Sequence, residues 1–178
     1  SVITMELIKI PAARVGNLIG PNGETKKRLE GLTSTKIEVN IEGEATIEGE
    51  SANEFFAKDV VKAIGRGFEP KDAEKLLDDK FMLEIMDLKD ICKSENEIQR
   101  VKGRVIGEEG KMKLEIESAT DSKVSVYGWT VSIISPMDSM VYAQKAINRI
   151  IDGAQLTTVF NDLAKYKREI FANRLMGK

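Results

Sequence analysis

The sequence predicts an α+β protein made of two tandem copies of one β-α-α-β-β-α unit, followed by an extra C-terminal helix. Two observations carry this. The chain repeats itself: Gly20 and Gly23 fall on Gly107 and Gly110, a shift of 87 positions, and Leu18-Ile19, Lys26, Leu29-Glu30 and Thr35 to Val39 find counterparts at the same shift. Within each copy, strand-period and helix-period patterns follow one another in the same order.

Ile3, Met5 and Leu7 alternate, as do Phe81, Leu83 and Ile85, the period of a half-buried strand opening each copy. Val15, Leu18 and Ile19, then Ile98, Val101 and Val105, are spaced as on one face of a short helix, with Ser94 and Glu97 forming a capping box in the second copy. The helix breaks at Gly-x-x-Gly and resumes through Lys26 to Leu32, or Lys111 to Ile116. Two hairpin-spaced strands follow: Ile37, Val39 and Ile41 with Ala45 and Ile47, then Val124 and Val126 with Val131 and Ile133, around Gly43 and Gly128. An amphipathic helix closes each copy, capped by Ser51 with Glu54, or by Ser135 with Pro136 at its first position. A shift of 83 lays Lys62 to Arg66 on Lys145 to Arg149, as if a few loop residues were lost. Val159, Leu163, Tyr166 and Ile170 mark the extra helix. The expected divisions are a first domain at 1–68, a helical linker at 69–78, a second domain at 79–153 and the C-terminal helix at 154–178.

Composition narrows the chemistry. There is no histidine and a single cysteine, Cys92, which removes the usual general base near neutral pH and any His/Cys metal site. No enzymatic activity, cofactor or metal is expected. Asp78-Asp79 and the Asp87/Asp90 pair read as solvated charges, and Met137 and Met140 as core or interface. A lone cysteine also rules out an intrachain disulfide and fits a reducing, cytoplasmic setting. No apolar run approaches the length of a membrane span, and the opening SVITMELIKI reads as a strand carrying Glu6 and Lys9, with no targeting leader. The net charge is −2, so attraction to a polyanion requires a local basic patch.

The two loops are the candidate site. Glycine at both ends of a turn between helices permits backbone conformations closed to other residues and lets another backbone approach. The helix that follows directs its first N–H groups at an incoming phosphate. The first loop, Gly20-Pro21-Asn22-Gly23, lies beside Ile19, Lys26 and Lys27, with Arg14 and Lys36 close in sequence. Residues 1–36 hold six basic and three acidic side chains, so this segment is positive. The second loop, Gly107-Glu108-Glu109-Gly110, turns two carboxylates toward the phosphate it would hold. Ile106, Arg104, Lys111 and Lys113 flank it, with Arg100 and Lys102 nearby. The plainer reading of a single Gly-x-x-Gly is a helix cap and a turn; its repetition inside the same six-element unit favours single-stranded nucleic-acid binding. Trp129, in a hairpin turn, reads more simply as packed on its own sheet than as a base-stacking platform.

At Arg14 to Gly20 and Lys102 to Gly107 the chain resembles tandem type I KH proteins. More narrowly, through Ala63 to Phe68, Lys123 to Gly128 and the tail from Ala146 to Phe160, it is similar to archaeal ribosomal-RNA-processing KH proteins related to the eukaryotic partner-of-Nob assembly factor. The resemblance implies a factor that binds single-stranded small-subunit ribosomal RNA near its 3′ end and presents it to a separate endonuclease. It also implies ribosomal or translation-factor proteins as partners, and no membrane. Family members look more basic in the second loop, where this chain has Glu108 and Glu109. An RNA adaptor in transcription or decay, and a mainly protein-binding scaffold, stay open as alternatives.

Overall fold

Alternating residues and short turns between them generate two three-stranded antiparallel sheets in the computed structural model, which describes residues 2–178. The first unit runs β1 (Ile3–Lys9), α1 (Val15–Ile19), α2 (Glu24–Thr33), β2 (Lys36–Val39), β3 (Glu44–Glu50) and α3 (Ser51–Gly65), with sheet order β1-β3-β2. It continues through α4 (Pro70–Ala73), which starts on a proline and packs, with the turn after it, back onto α3. The second unit repeats the plan as β4 (Phe81–Asp87), α5 (Leu88–Ile91), α6 (Glu95–Ile106), α7 (Lys111–Thr120), β5 (Lys123–Tyr127), β6 (Thr130–Pro136) and α8 (Met137–Ile151), with order β4-β6-β5, and adds α9 (Leu156–Leu175). The chain divides into two compact units, one ending at Asp79 and the other running from Lys80 to Lys178. In each, helices cover one face of the sheet. Leu18, Leu29, Ile37, Ile47 and Ile64 are fully buried in the first unit. Val101, Val105, Ile116, Ile133, Ile147, Val159 and Leu163 belong to one apolar cluster in the second. No helix among the described residues is long and apolar enough to cross a membrane.

Several local expectations change. Ile3, Met5 and Leu7 form a strand but lie on its exposed face, each about two-thirds accessible, while Ile8 enters the core. Toward α3 the strand presents polar groups: Thr4 donates to Glu54, and Glu6 pairs with Lys58 at 3.5 Å. In β4 the residues packed on the core are Met82 and Met86, and Ile85 is exposed. Ile41 sits in the hairpin turn, where Asn40 Oδ1 accepts from the amides of Glu42 and Glu44. Ser51 is the first helical residue, not the cap of α3, and Glu54 is spent on Thr4. Ser135 belongs to β6 and Pro136 occupies the cap position of α8, one place earlier than expected. The Ser94 cap holds: its hydroxyl accepts from Glu97 N at 3.2 Å, and the Glu97 carboxylate returns to the amide of Lys93 at 2.7 Å. Trp129 is engaged by Lys89, whose Nζ lies 4.7 Å from the ring centroid.

The repeat is tighter than the shift of 83 implied. β3 and β6 both span 7 residues and α3 and α8 both span 15, and each pair matches at a shift of 86. One residue, in the β2–β3 turn, separates this register from the 87 of the helices before it. Helix ends explain the constraint. Both closing helices finish on a left-handed glycine, Gly67 (φ 99°) and Gly153 (φ 88°), with Phe68 N donating to Ala63 O and Ala154 N to Arg149 O. The carbonyls left over are taken by an arginine. Arg14 donates from Nε to Ile64 O (2.8 Å) and from Nη2 to Phe68 O (2.9 Å). Arg104 donates to Ile150 O and Ala154 O, the same two positions of its own unit. The two arginines are not aligned, since Arg14 falls on Val101 and Arg104 on Asn17, one helical turn away. A cation at a helix C-terminus also meets the negative end of the dipole.

Helix α9 lies against α7 and α8, burying Val159, Leu163 and Ile170, with Tyr166 against the Tyr142 ring at 5.2 Å. Its last turn is tied by Arg174, which reaches Asp138 through two hydrogen bonds of 2.8 and 3.0 Å and Asp121 at 3.4 Å. The hydrogen bonds from Arg174 hold the Asp138 carboxyl below its ordinary range. A depressed carboxylate contributes stability that is complete above the unfolded value of about 3.9 and is lost as pH falls through the lower folded value. The end of α9 is therefore expected to loosen below about pH 4, and Asp138→Asn to give the same loosening at pH 7, as faster amide exchange over Phe171–Met176. The effect should not exceed about 1 kcal/mol, because the pair is largely exposed. Arg104→Met should cost the second unit about 1–3 kcal/mol by stranding two carbonyls, read as a lower urea midpoint.

Candidate functional site

The chain reverses between α1 and α2 in four residues, and between α6 and α7 in four more, along the same path. Gly20 (φ 72°, ψ 174°), Asn22 (φ 53°) and Gly23 (φ 75°) are matched by Gly107 (φ 76°, ψ 172°), Glu109 (φ 53°) and Gly110 (φ 76°). The middle residues share no chemistry, so the path belongs to the glycines. The two glycines of each loop answer different demands. A Cβ on Gly20 would stand 2.1 Å from Thr25 Oγ1 and 2.9 Å from its amide, and one on Gly107 would stand 2.7 Å from Met112 N. Only a bare α-carbon fits against the start of the second helix. Gly23 and Gly110 meet nothing within 4 Å; their left-handed backbone and open face are what side chains would spoil.

Two further glycines extend that open face. Gly16 and Gly103 sit inside α1 and α6, one turn before the loops, are exposed, and have nothing within 4 Å of a would-be Cβ. Glycine in a helix costs about 1 kcal/mol against alanine, and packing does not ask for it here. With Gly20 and Gly107 four residues on, they leave a strip of bare backbone on one helix face. Their recurrence at the same shift of 87 was the available signal, because the spacing of the loop motif alone leaves them out.

Beside the first loop, Leu7, Ile19, Lys26, Val39, Asn40 and Thr46, with Glu38 and Glu44, line an open cavity of about 590 Å³. Ile19 is half-buried at its wall, so the residue next to the loop faces the groove as well as the core. Lys26 donates from Nζ to Ile37 O (3.0 Å) and to Glu30 (3.3 Å), while Glu30 accepts from Ile37 N (2.9 Å). The second unit repeats the arrangement: Lys113 pairs with Glu117 at 3.8 Å, and Glu117 accepts from Val124 N at 2.9 Å. In both units the glutamate ties the second helix to the start of the strand, and in the first Lys26 adds a bond of its own to Ile37 O.

The remaining candidates separate clearly. Lys27 is exposed and makes no ion pair among the described residues, with Pro21 and Asn22 exposed beside it. Lys36 is turned to Glu38 at 3.1 Å, and that hydrogen bond raises its pKa. Arg14 and Arg104, expected at the site, hold the ends of α3 and α8. Ile106 is 37 % exposed at the second loop, and Glu108 and Glu109 are exposed on it. Lys111 lies over the Phe160 ring, 5.4 Å from its centroid. Among the described residues, no group of three or more carboxylates and thiols gathers as a metal site. The arrangement offers bare backbone, an apolar wall and few cations: it can hold a polymer backbone and the faces of its side groups.

Known proteins share this plan. Residues 4–63 match the KH domain family, and residues 82–168 match the eukaryotic type KH-domain (KH-domain type I), which takes in more than half of α9. The chain is 40% identical over 172 residues to a KH domain-containing protein of Methanocaldococcus jannaschii, covering 94% of this chain and 76% of that one. It is 32% identical over 108 residues to the pre-rRNA-processing protein PNO1 of Chaetomium thermophilum, covering 59% of this chain and 42% of that one. A chain in the crystal structure of the a/eIF2alpha-aDim2p-rRNA complex from Pyrococcus horikoshii OT3 is 38% identical, with a TM-score of 0.88 over 94% of this chain and 96% of that one. Two Gly-x-x-Gly loops of one geometry, each inside a β-α-α-β-β-α unit, together with these likenesses, place the chain in the KH-domain family, among two-domain proteins of the PNO1 and archaeal Dim2p type.

Proposed function

We propose that this chain is a non-catalytic single-stranded RNA-binding protein that acts in maturation of small-subunit ribosomal RNA, holding the RNA near its 3′ end for a separate endonuclease. The observation that carries the reading is the pair of superimposable Gly-x-x-Gly loops, each preceded by a strip of bare helix backbone. In KH modules such a loop clamps about four nucleotides while their bases occupy the adjoining groove. Here the first groove has Ile19 and Val39 for base faces and Asn40 and Thr46 for base edges. The relatives point to the RNA: one is a pre-rRNA-processing protein, and the Pyrococcus complex contains rRNA. That complex also holds a/eIF2alpha, so a translation factor, with ribosomal proteins, is among the partners this reading includes. A cytoplasmic place follows from the same role.

Lys27 and the loop backbone of the first unit are the phosphate contacts in this reading, and Gly107 to Gly110 with Lys111 are those of the second. Arg14, Arg104, Lys26 and Lys113 support the loops from behind. The two carboxylates of the second loop and the net charge of −2 favour a second reading, in which the second unit mainly binds protein.

A salt titration of binding to single-stranded RNA of small-subunit 3′-end sequence tests both. Pro21→Asp with Asn22→Asp should weaken binding by at least about tenfold, since two carboxylates replace neutral groups at the clamp; position 22 already has the left-handed backbone that Asp tolerates. Glu108→Lys with Glu109→Lys should strengthen binding and steepen the dependence of log affinity on log salt by about 1.4, two contacts at about 0.7 each. An unchanged slope for the lysine pair would hand the second unit to the protein-binding reading. Failure of the native protein to bind any such RNA would remove the RNA-binding function.

A further inference from the structure

The acidic second loop poses a problem: a polyanion that crosses Glu108 and Glu109 must find cations elsewhere. The helix that the second unit adds supplies them. Along α9, Phe160, Ala164, Lys167 and Phe171 recur at spacings of four, three and four, one continuous face of the helix. The stripe begins at the loop, where Lys111, first residue of α7, lies over the Phe160 ring. Helices α7 and α9 then run side by side, and the far end of their seam opens into a groove of about 400 Å³. Ala119 and Ile170 floor it, Ser118 borders it, and Phe171, 64 % exposed, stands at its edge with Lys167 and Arg168.

The charges of this seam are unevenly spent. Arg174 is taken by Asp138 and Asp121, and Lys165 by Glu169 at 3.8 Å. Lys167 and Arg168 are exposed and make no ion pair or hydrogen bond among the described residues. The Asp121 carboxylate at the groove is answered by Arg174. Two uncommitted cations therefore flank an exposed aromatic ring, at the end of a track whose other end is a Gly-x-x-Gly loop. From Phe160 to Phe171 the track is about 16 Å long, at 1.5 Å per residue. Cations that follow a backbone, with aromatic faces between them, are how proteins hold single-stranded nucleic acid without reading its sequence.

We propose that the α7–α9 seam continues the RNA track of the second loop, taking phosphates on Lys167 and Arg168 and a base on Phe171. The inference rests on the RNA-binding function proposed above and assigns the C-terminal helix a part in it. RNA that occupies only a KH groove would not reach these residues; RNA that extends past the loop would.

The experiment compares two single-stranded RNAs of small-subunit 3′-end sequence, about five and about fourteen nucleotides long, binding to the native protein, to Lys167→Glu with Arg168→Glu, and to Phe171→Ala. All three positions are exposed, so the fold is kept. The expected result is unchanged affinity for the short RNA, and for the long RNA about a tenfold loss in the charge-reversed pair with a salt slope flatter by about 1.4. Phe171→Ala should weaken the long RNA severalfold without moving the slope. Equal losses for both lengths, or none for either, overturn the proposal. If the native protein binds neither length, the RNA-binding function itself has failed and the seam proposal falls with it.

Discussion

Both loops of this molecule depend on a steric demand at one position, the α-carbon of Gly20 in the first copy and of its counterpart Gly107 in the second. The chain has four residues in which to turn from one helix into the next. It does so by pressing that α-carbon against the first turn of the second helix, closer than any side chain allows. The second glycine then takes a left-handed backbone and leaves the outer side of the turn open. Because the demand is met entirely by backbone, the middle residues are released from structural duty. Proline and asparagine serve in one copy and two glutamates in the other, with no change of path. The loops are thus free to differ in charge while staying alike in shape.

The same economy recurs in the supports behind the loops. Each closing helix ends on a left-handed glycine, and an arginine at the start of α1 or within α6 takes one carbonyl of its last turn and one just past the glycine. That arginine occupies different sequence positions in the two copies, because a guanidinium can approach the same pair of carbonyls from either of two successive turns. A glutamate on the second helix, paired with a lysine four residues before it, joins that helix to the strand that follows, again in both copies. Residues that look like phosphate ligands in the sequence are in this way drawn into the frame. The cations left for a ligand are fewer than composition suggests, and Lys27 on α2 with Lys167 and Arg168 on α9 are among them.

The second unit differs from the first in how it is completed. In the first, a short helix folds back onto α3 and the outer face of β1 stays open. In the second, α9 lies along α7 from the loop to the far end, adding Val159 and Leu163 to the core and a row of cations and rings to the surface. An acidic loop in a nucleic-acid-binding fold then has a physical counterweight within its own unit.

The sequence by itself determined the repeat, the order of strands and helices, the place of both loops and the existence of the last helix. Those features rest on local periodicity and on the glycines at both ends of each turn, of which Gly20 and Gly107 leave no room for a side chain, and both are written along the chain. It also showed the Ser94 cap, whose partners lie within three residues. What only the tertiary structure decided are matters of facing and of long-range partners. Ile3, Met5 and Leu7 alternate as a core face would, yet they point outward, because α3 offers Glu54 and Lys58 to the other side of the strand. Arg14, Arg104 and Lys26 read as free cations until carbonyls up to 54 positions away are brought beside them. Gly16 and Gly103 look like ordinary helix residues until the space around them proves empty. Periodicity states that a residue has two sides; which side meets a partner depends on what the rest of the chain places there.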